Sequence, residues 1–266
     1  MLRIDLNSDM GESFGAYTIG NDRALLKNIT SANVACGFHA GDPSVIRATV
    51  RAARESGVAV GAHPGFPDLV GFGRRELNAT PREIEDMVLY QVAAIAGIVA
   101  AEGVRLQHVK PHGALFNMAV RNRELSDAIA RAVAAFDRNL ILFGLPGSEI
   151  LAAGRAVGLP VAAEVFADRA YEPGGSLASR RKPNSVLHDP DIVVSRAVRM
   201  VREHVVLAID GSVVPLEADT ICVHGDTPGA EILTAQLRKG LEAAGISVMA
   251  IGAGRSAIHD AIEEAR

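Results

Sequence analysis

Side chains able to do chemistry recur at the ends of short apolar runs in this 266-residue chain. The first run delivers Asp5, Asn7 and Asp9, with Glu12 just beyond; the second delivers Asn33 and leads into Cys36-Gly37-Phe38-His39-Ala40-Gly41-Asp42. Later runs end in His63-Pro64-Gly65, in His108, Lys110 and His112-Gly113, in Glu164 and Asp168-Arg169, and in His224-Gly225-Asp226. Carboxylates and imidazoles move protons beside a reacting bond, and an ammonium or guanidinium holds anions. Asp9, His39 and His63 are also a donor set for a metal with open positions for water. They lie on separate runs without His-x-x-x-His spacing, so no metal is assigned.

Each of these residues has a plainer reading. Asp5 sits inside its run and can serve structure by tying down neighbouring amides. His39 precedes a helix start and can order that loop, and His108 can be a satisfied core histidine. Lys110 closes an apolar run, where an ammonium needs an anionic partner, from a ligand or from a neighbouring carboxylate. Cys36 reads first as a small buried hydrophobe and only then as a partner of His39, and Cys222 reads as packing. His188, His204 and His259 fall away from run ends and read as surface. What scattered surface polarity does not predict is the preference of the whole set for strand ends, which is where (β/α) barrels build their sites.

Eight parallel strands are expected to position the set, at 2–7, 32–36, 58–62, 106–110, 140–144, 161–165, 220–224 and 246–251. Helices fit between most of them. Asp42-Pro43-Ser44 opens one that ends at Gly57, and the capping box Thr80-Pro81-Arg82-Glu83 opens another that runs to Gly103. Further helices are expected over 124–136, 148–157, 191–203, 229–244 and 256–264. Residues 167–187 carry no period, and 205–210 with 213–216 read as a hairpin outside the parallel set. The expected fold is α/β: one domain over 1–266, an irregular (β/α) barrel of seven or eight parallel strands. Such barrels run to ~250 residues. A doubly wound sheet would carry a glycine-rich phosphate turn after its first strand, and here that turn is the acidic Asp9-Met10-Gly11-Glu12.

Composition narrows the partners. Hydrophobic residues make up 48% of the chain and aromatics 4%, so the core must be aliphatic. A net charge of −4 with no basic stripe argues against nucleic acid. Two cysteines give no disulfide framework, the N-terminus has no signal core, and the apolar stretch near 92–101 is short for a membrane span, so the expected location is cytoplasmic. No Walker loop or Gly-x-Gly-x-x-Gly occurs; Gly252-Ala253-Gly254-Arg255 and Gly71-Phe72-Gly73-Arg74-Arg75 are weaker anion candidates.

Six of these segments together resemble the LamB/YcsF family, the A subunits of ATP-dependent 5-oxoprolinases: residues 5–12, Ser31 to Asp42, Gly61-Ala62-His63-Pro64, His108 to Leu115, Glu164 to Arg169, and Cys222 to Asp226. The resemblance runs in order along nearly the whole chain. It departs at Ala178-Ser179-Arg180-Arg181-Lys182-Pro183-Asn184-Ser185, where the family has a Pro-Arg-Ser-Gln-type stretch, although Arg180 still falls where the family's arginine would. The resemblance implies a barrel akin to the polysaccharide deacetylases, conversion of 5-oxo-L-proline to L-glutamate with hydrolysis of ATP (carried with Mg2+), and separate B and C subunits as partners. On that reading Asp9, Glu12, His39, His63, Lys110 and His112 are the catalytic candidates. Asn7, Asn33, Glu164, Asp168, Arg169, Arg180, His224 and Asp226 are the substrate-binding ones. Two other functions fit the residues: a metal-dependent amidohydrolase or deacetylase working without ATP, and a non-catalytic lactam- or sugar-binding scaffold.

Overall fold

The computed structural model describes residues 2–179, 182–225 and 229–252. Ten strands and eight helices occur among them: β1 (Leu2–Met10), α1 (Asp22–Leu25), β2 (Ser31–Ala35), α2 (Pro43–Glu55), β3 (Ala59–His63), α3 (Pro81–Ala101), β4 (Leu106–Val109), α4 (Gly113–Ala119), α5 (Arg123–Phe136), β5 (Ile141–Gly144), α6 (Glu149–Ala156), β6 (Val161–Phe166), α7 (Pro190–Glu203), β7 (Val205–Leu207), β8 (Val213–Pro215), β9 (Thr220–Val223), α8 (Ala230–Ala243) and β10 (Ile246–Val248). The expected anion turn beyond Gly252 and the expected helix over 256–264 lie outside the described residues, as do Arg180 and Asp226.

Seven parallel strands close a ring in the order β1-β2-β3-β4-β5-β6-β9, with β9 pairing back onto β1. The eighth expected strand, β10, pairs only with Leu2–Ile4 of β1 and extends that strand's lower end rather than entering the ring. β7 and β8 form the expected antiparallel hairpin, shorter than its sequence suggests. Two short helices, α1 and α4, are absent from the sequence expectation because each is too brief to show an apolar period.

The helix start signals act where the sequence places them. Asp42 accepts from Ser44 N at 2.8 Å and Val45 N at 3.0 Å to cap α2, and Thr80 and Glu83 bond reciprocally to cap α3. α3 is apolar enough over 18 residues, at mean hydropathy 1.6, to pass a membrane-span test of length and composition. It nonetheless buries a single stripe (Ile84, Val88, Val92, Ile95, Val99) and packs mainly against α5. That is how an outer-layer helix of a barrel is built.

Between strands and helices the core is aliphatic, as the composition requires. The lumen is different. β1 runs three residues beyond its expected end because Asp5, Asn7 and Asp9, on alternate positions, all point inward and find partners there. At the lowest level Asp5 accepts from the hydroxyls of Thr30 (2.6 Å), Ser31 (2.7 Å) and Thr220 (2.5 Å), so its structural reading holds. One level up, Asn33 Nδ2 donates to Asn7 Oδ1 at 2.7 Å, Asn7 Nδ2 donates to Thr220 at 2.7 Å, and His108 Nε2 meets Asn33 Oδ1 at 2.7 Å. His108 also stacks on Phe143 at 4.3 Å, and Gly61 leaves it room, since a Cβ there would lie 2.1 Å from Nε2. Burial pushes His108 down to about 3, so the ring is neutral.

Candidate active site

Above these levels, at the C-terminal ends of the strands, the remaining candidate residues come together. Asp9 at the end of β1 accepts from Asn33 Nδ2 at 2.8 Å and Lys110 Nζ at 2.8 Å, with His63 Nε2 3.4 Å from its other oxygen. Lys110, one residue past β4, also lies 3.0 Å from Glu164 Oε1 on β6 and donates to Cys222 Sγ on β9 at 3.0 Å. The ring of Phe166 flanks the ammonium at 5.5 Å.

The electrostatics separate the two carboxyls. Burial pushes Asp9 up, but His63 and Lys110 together outweigh it and hold it well below the usual carboxylate range. Glu164 is fully buried; desolvation dominates there, with Lys110 opposing, and its carboxyl is raised. Lys110 loses to burial and gains more from Asp9, Cys222 and Glu164, so it stays charged. An ammonium has three donors; Asp9 and Cys222 take two of them as hydrogen bonds, and Glu164 adds an ion pair at 3.0 Å. Of the two partners the sequence allows for Lys110, the structure supplies the neighbouring carboxylates, so a ligand anion must displace one of the three.

The second group comprises Glu12, His39, His63 and His112, whose donor atoms all lie within 4.8 Å of one another. His63 ends β3, and its loop is fixed by Gln91 of α3, which accepts from Gly65 N at 2.9 Å and donates to Gly65 O at 3.0 Å. His112 precedes α4. His39 lies in the loop after β2, stacked flat on His112 with centroids 3.8 Å apart and 5° between planes. His39 Nε2 is 3.7 Å from Glu12 Oε1. Phe72 closes the cluster edge-on against both rings. Gly73 lets that loop approach: its φ is +62°, and a Cβ would meet His39 Cβ at 2.7 Å. Burial first, then the neighbouring imidazoles, holds His39 and His112 well below the ordinary histidine range.

At the rim, Asp168 Oδ2 lies 2.9 Å from His224 Nδ1, and His224 stacks on Phe166. Arg169 is buried and turned to its own loop, donating to Ser185 O at 3.3 Å and Ala178 O at 2.7 Å. That ties residues 167–179 to 182–187, which lack a helical or strand period but are pinned further by Arg196 on Ala167 O and Arg169 O. Of the expected arginine pair, Arg75 is bonded to Asp68, and Arg74 covers the Phe72 ring at 4.8 Å. An open depression of about 360 Å3 lies beside them, lined by Gly37, Phe38, Pro67, Leu69 and Val70 among others.

Cys222 differs from its sequence reading, and Cys36 keeps its first one, a small buried hydrophobe. Cys222 is not mere packing, because its sulfur is one of the three acceptors around Lys110. Its place two residues before His224 on a strand already puts it on the inward face. Cys36 is buried with its thiol pushed up by desolvation and its sulfur directed at Val34 O, so it forms no nucleophilic pair with His39. Gln91 and Phe72 escape sequence reasoning, since nothing in a helix stripe or a glycine-flanked loop marks them locally.

The LamB/YcsF family profile matches residues 4–256. The 5-oxoprolinase A subunit from Chloroflexus aggregans is 60% identical over 248 residues, 93% of this chain and 98% of that one. The lactam utilization protein of Thermus thermophilus superposes with a TM-score of 0.90 at 50% identity, covering 94% of this chain and all of that one. A T48 deacetylase shares the barrel at a TM-score of 0.50 and 16% identity, over 95% of this chain and 92% of that one, which speaks to fold alone. On the sequence match over nearly its whole length, this chain belongs to the LamB/YcsF family.

Proposed function

We propose that this chain opens the ring of 5-oxo-L-proline to give L-glutamate, coupled to hydrolysis of ATP carried with Mg2+, within a cytoplasmic enzyme completed by separate B and C subunits. Its relatives are named as the A subunit of a 5-oxoprolinase, which makes them parts of a multi-subunit enzyme acting on a lactam. The observation that carries the reading is the pair of buried carboxyls on one ammonium, Asp9 held down and Glu164 pushed up. Two carboxyls driven apart in this way divide the roles of base and acid.

The chemistry needs such a site. A five-membered lactam is a poor electrophile, and transfer of a phosphoryl group from ATP to its amide oxygen activates the carbon. Water adds there, the C–N bond breaks to leave γ-glutamyl phosphate, and a second water releases phosphate and L-glutamate. On this reading ionised Asp9 and the imidazoles of His39 and His112, held below the ordinary histidine range, take protons from water. Glu164, whose carboxyl burial raises, is the proton donor of this reading, and Lys110 balances the charge of the carboxylates. Asn7, Asn33, Asp168 and His224 supply polar walls, with Arg180 and Asp226 assigned to substrate by resemblance.

The test is reconstitution with the B and C subunits, reading glutamate and ADP together. Both products should appear only with 5-oxoproline, Mg-ATP and all subunits present, and the chain alone should give little or none. Glutamate release by the pure chain without ATP would overturn the reading in favour of a hydrolase that needs no phosphoryl transfer.

A further inference from the structure

Two backbone carbonyls fix where the histidine hydrogens sit. His63 Nδ1 lies 2.7 Å from Lys110 O, and a carbonyl only accepts, so Nδ1 carries the hydrogen. His112 Nε2 lies 2.8 Å from Phe72 O, so its hydrogen is on Nε2. A neutral imidazole has one N–H. When both rings are neutral, the remaining nitrogens, His63 Nε2 and His112 Nδ1, are lone pairs that face each other at 2.9 Å, with Asp9 Oδ2 3.4 Å from His63 Nε2. Two acceptors at that distance repel unless a positive centre sits between them.

The surroundings say which kind. A Glu12 carboxylate oxygen lies within 4.8 Å of both nitrogens. His39 is 1% exposed, yet neither of its nitrogens has a hydrogen-bond partner among the described residues. Anchoring of the far ring nitrogen on a backbone carbonyl is how metal-bound imidazoles are oriented. We propose that His63 Nε2, His112 Nδ1 and Glu12 hold a divalent transition-metal ion, with zinc the best match to two imidazoles and a carboxylate. Two nitrogens on tetrahedral zinc stand roughly 3.3 Å apart, so the rings need part by only a few tenths of an ångström. His39 cannot aim at the same point without leaving its parallel stack on His112, so it faces whatever the ion binds. This set differs from the Asp9-His39-His63 donors considered from sequence: Asp9 Oδ1 is engaged by Lys110 and Asn33, and only Asp9 Oδ2 stays near the cluster, 3.4 Å from His63 Nε2.

The site stands on geometry alone; only a role for the ion in polarising the lactam carbonyl rests on the proposed function. The full chain, stripped by chelator, is titrated with Co2+ while visible absorption is read, then with Zn2+ in competition, and bound metal is counted by mass spectrometry. One equivalent should bind, with the d–d bands of a low-symmetry nitrogen/oxygen site. Losing only a group that orients a metal's ligands costs ~10–100-fold in affinity, so His63→Ala and His112→Ala should weaken binding by ~100-fold or more, and Glu12→Gln by at least ~10-fold. Circular dichroism checks folding, and Glu12→Gln, close in size to the native side chain, serves if a histidine variant does not fold. A folded wild-type chain with no saturable Co2+ or Zn2+ binding, its His63–His112 pair sharing a proton by 15N chemical shift, overturns the proposal. So does binding unchanged in all three variants. No lactam, ATP or partner protein enters the measurement, so its failure and failure of the ring-opening assay are separate results.

Discussion

Lys110 and His112 stand two residues apart in the chain and belong to halves of the mouth that are put together differently. Around Lys110, Asp9 and Glu164 stand at 2.8 and 3.0 Å and Cys222 at 3.0 Å, and Asn33 ties Asp9 back to the polar layers below. Glu164 meets the ammonium as an ion pair, with both of its buried oxygens short of a hydrogen bond among the described residues. Around His112, ring nitrogens of two imidazoles stand 2.9 Å apart and both nitrogens of a third go unbonded among the described residues. Buried polar groups are normally satisfied, and departures collect where a ligand is received. The first half is held together by opposite charges around one ammonium; the second has no such ammonium at its centre and leaves His39 without a hydrogen bond among the described residues. Loss of a group should therefore cost stability as well as activity in the first half, and activity with little stability in the second.

The largest effect is expected at Lys110. Lys110→Met keeps most of the stem but leaves Asp9 and Glu164 facing each other in a buried site. Breaking a buried ion pair costs about 3–5 kcal/mol, which urea unfolding would read directly. Adding Glu164→Gln should restore much of it. A Lys110→Met chain as stable as wild type would erase the contrast between the halves.

His108 tests whether the layers beneath the mouth behave like its first half. Its folded value, about 3, lies below the ordinary 6.5, so between those values the unfolded chain binds the extra proton. Stability from the neutral ring is thus complete above pH 6.5 and drains away as pH falls toward 3. A profile of unfolding free energy against pH should be flatter in His108→Gln by up to about 1.4 kcal/mol per pH unit in that window. Parallel profiles for the two proteins would mean that His108 takes up its proton without strain.

A smaller loss is expected at Gly61, where an added methyl meets the His108 ring at 2.1 Å. The ring is held by Asn33 and Phe143 and has nowhere to go, so Gly61→Ala should cost about 1–3 kcal/mol by overpacking. An unchanged melting temperature would mean that the stack on Phe143 yields to the methyl.

These residues also mark what is legible in the sequence. The barrel is, because parallel strands, capped helices and strand-end polarity each leave a local signal: Asp42 and Thr80 cap as expected, and Asp9, His63 and Lys110 converge. The end of β1 is not, because Asp5, Asn7 and Asp9 alternate like a solvent-facing strand, and only ring closure turns that face into a lumen. Cys222 reads as packing for the same reason: its polar neighbour comes from just past β4, more than a hundred residues away. Gln91 leaves no signal in its own segment at all, since its bonds to Gly65 join a helix stripe to a loop that sequence does not place beside it.

The smallest stability effect, and the one that sharpens the contrast most, is expected at His39. Its two nitrogens are buried without hydrogen bonds, and a polar group in that state has lost its water without gaining a partner. Replacing it by Leu removes those nitrogens and the parallel stack on His112 while keeping an apolar body in the site. The loss of stacking, worth about 0.5–1.5 kcal/mol, opposes the gain from removing unsatisfied nitrogens, worth about 1–3 kcal/mol. His39→Leu should therefore unfold within about 1 kcal/mol of wild type, or later. Glutamate release by the reconstituted enzyme should nonetheless fall by orders of magnitude, because the imidazole of the cluster with both nitrogens unbonded is gone. Loss of stability comparable to Lys110→Met would place His39 in the framework, and full activity would remove it from the reaction; either result would dissolve the division between the two halves.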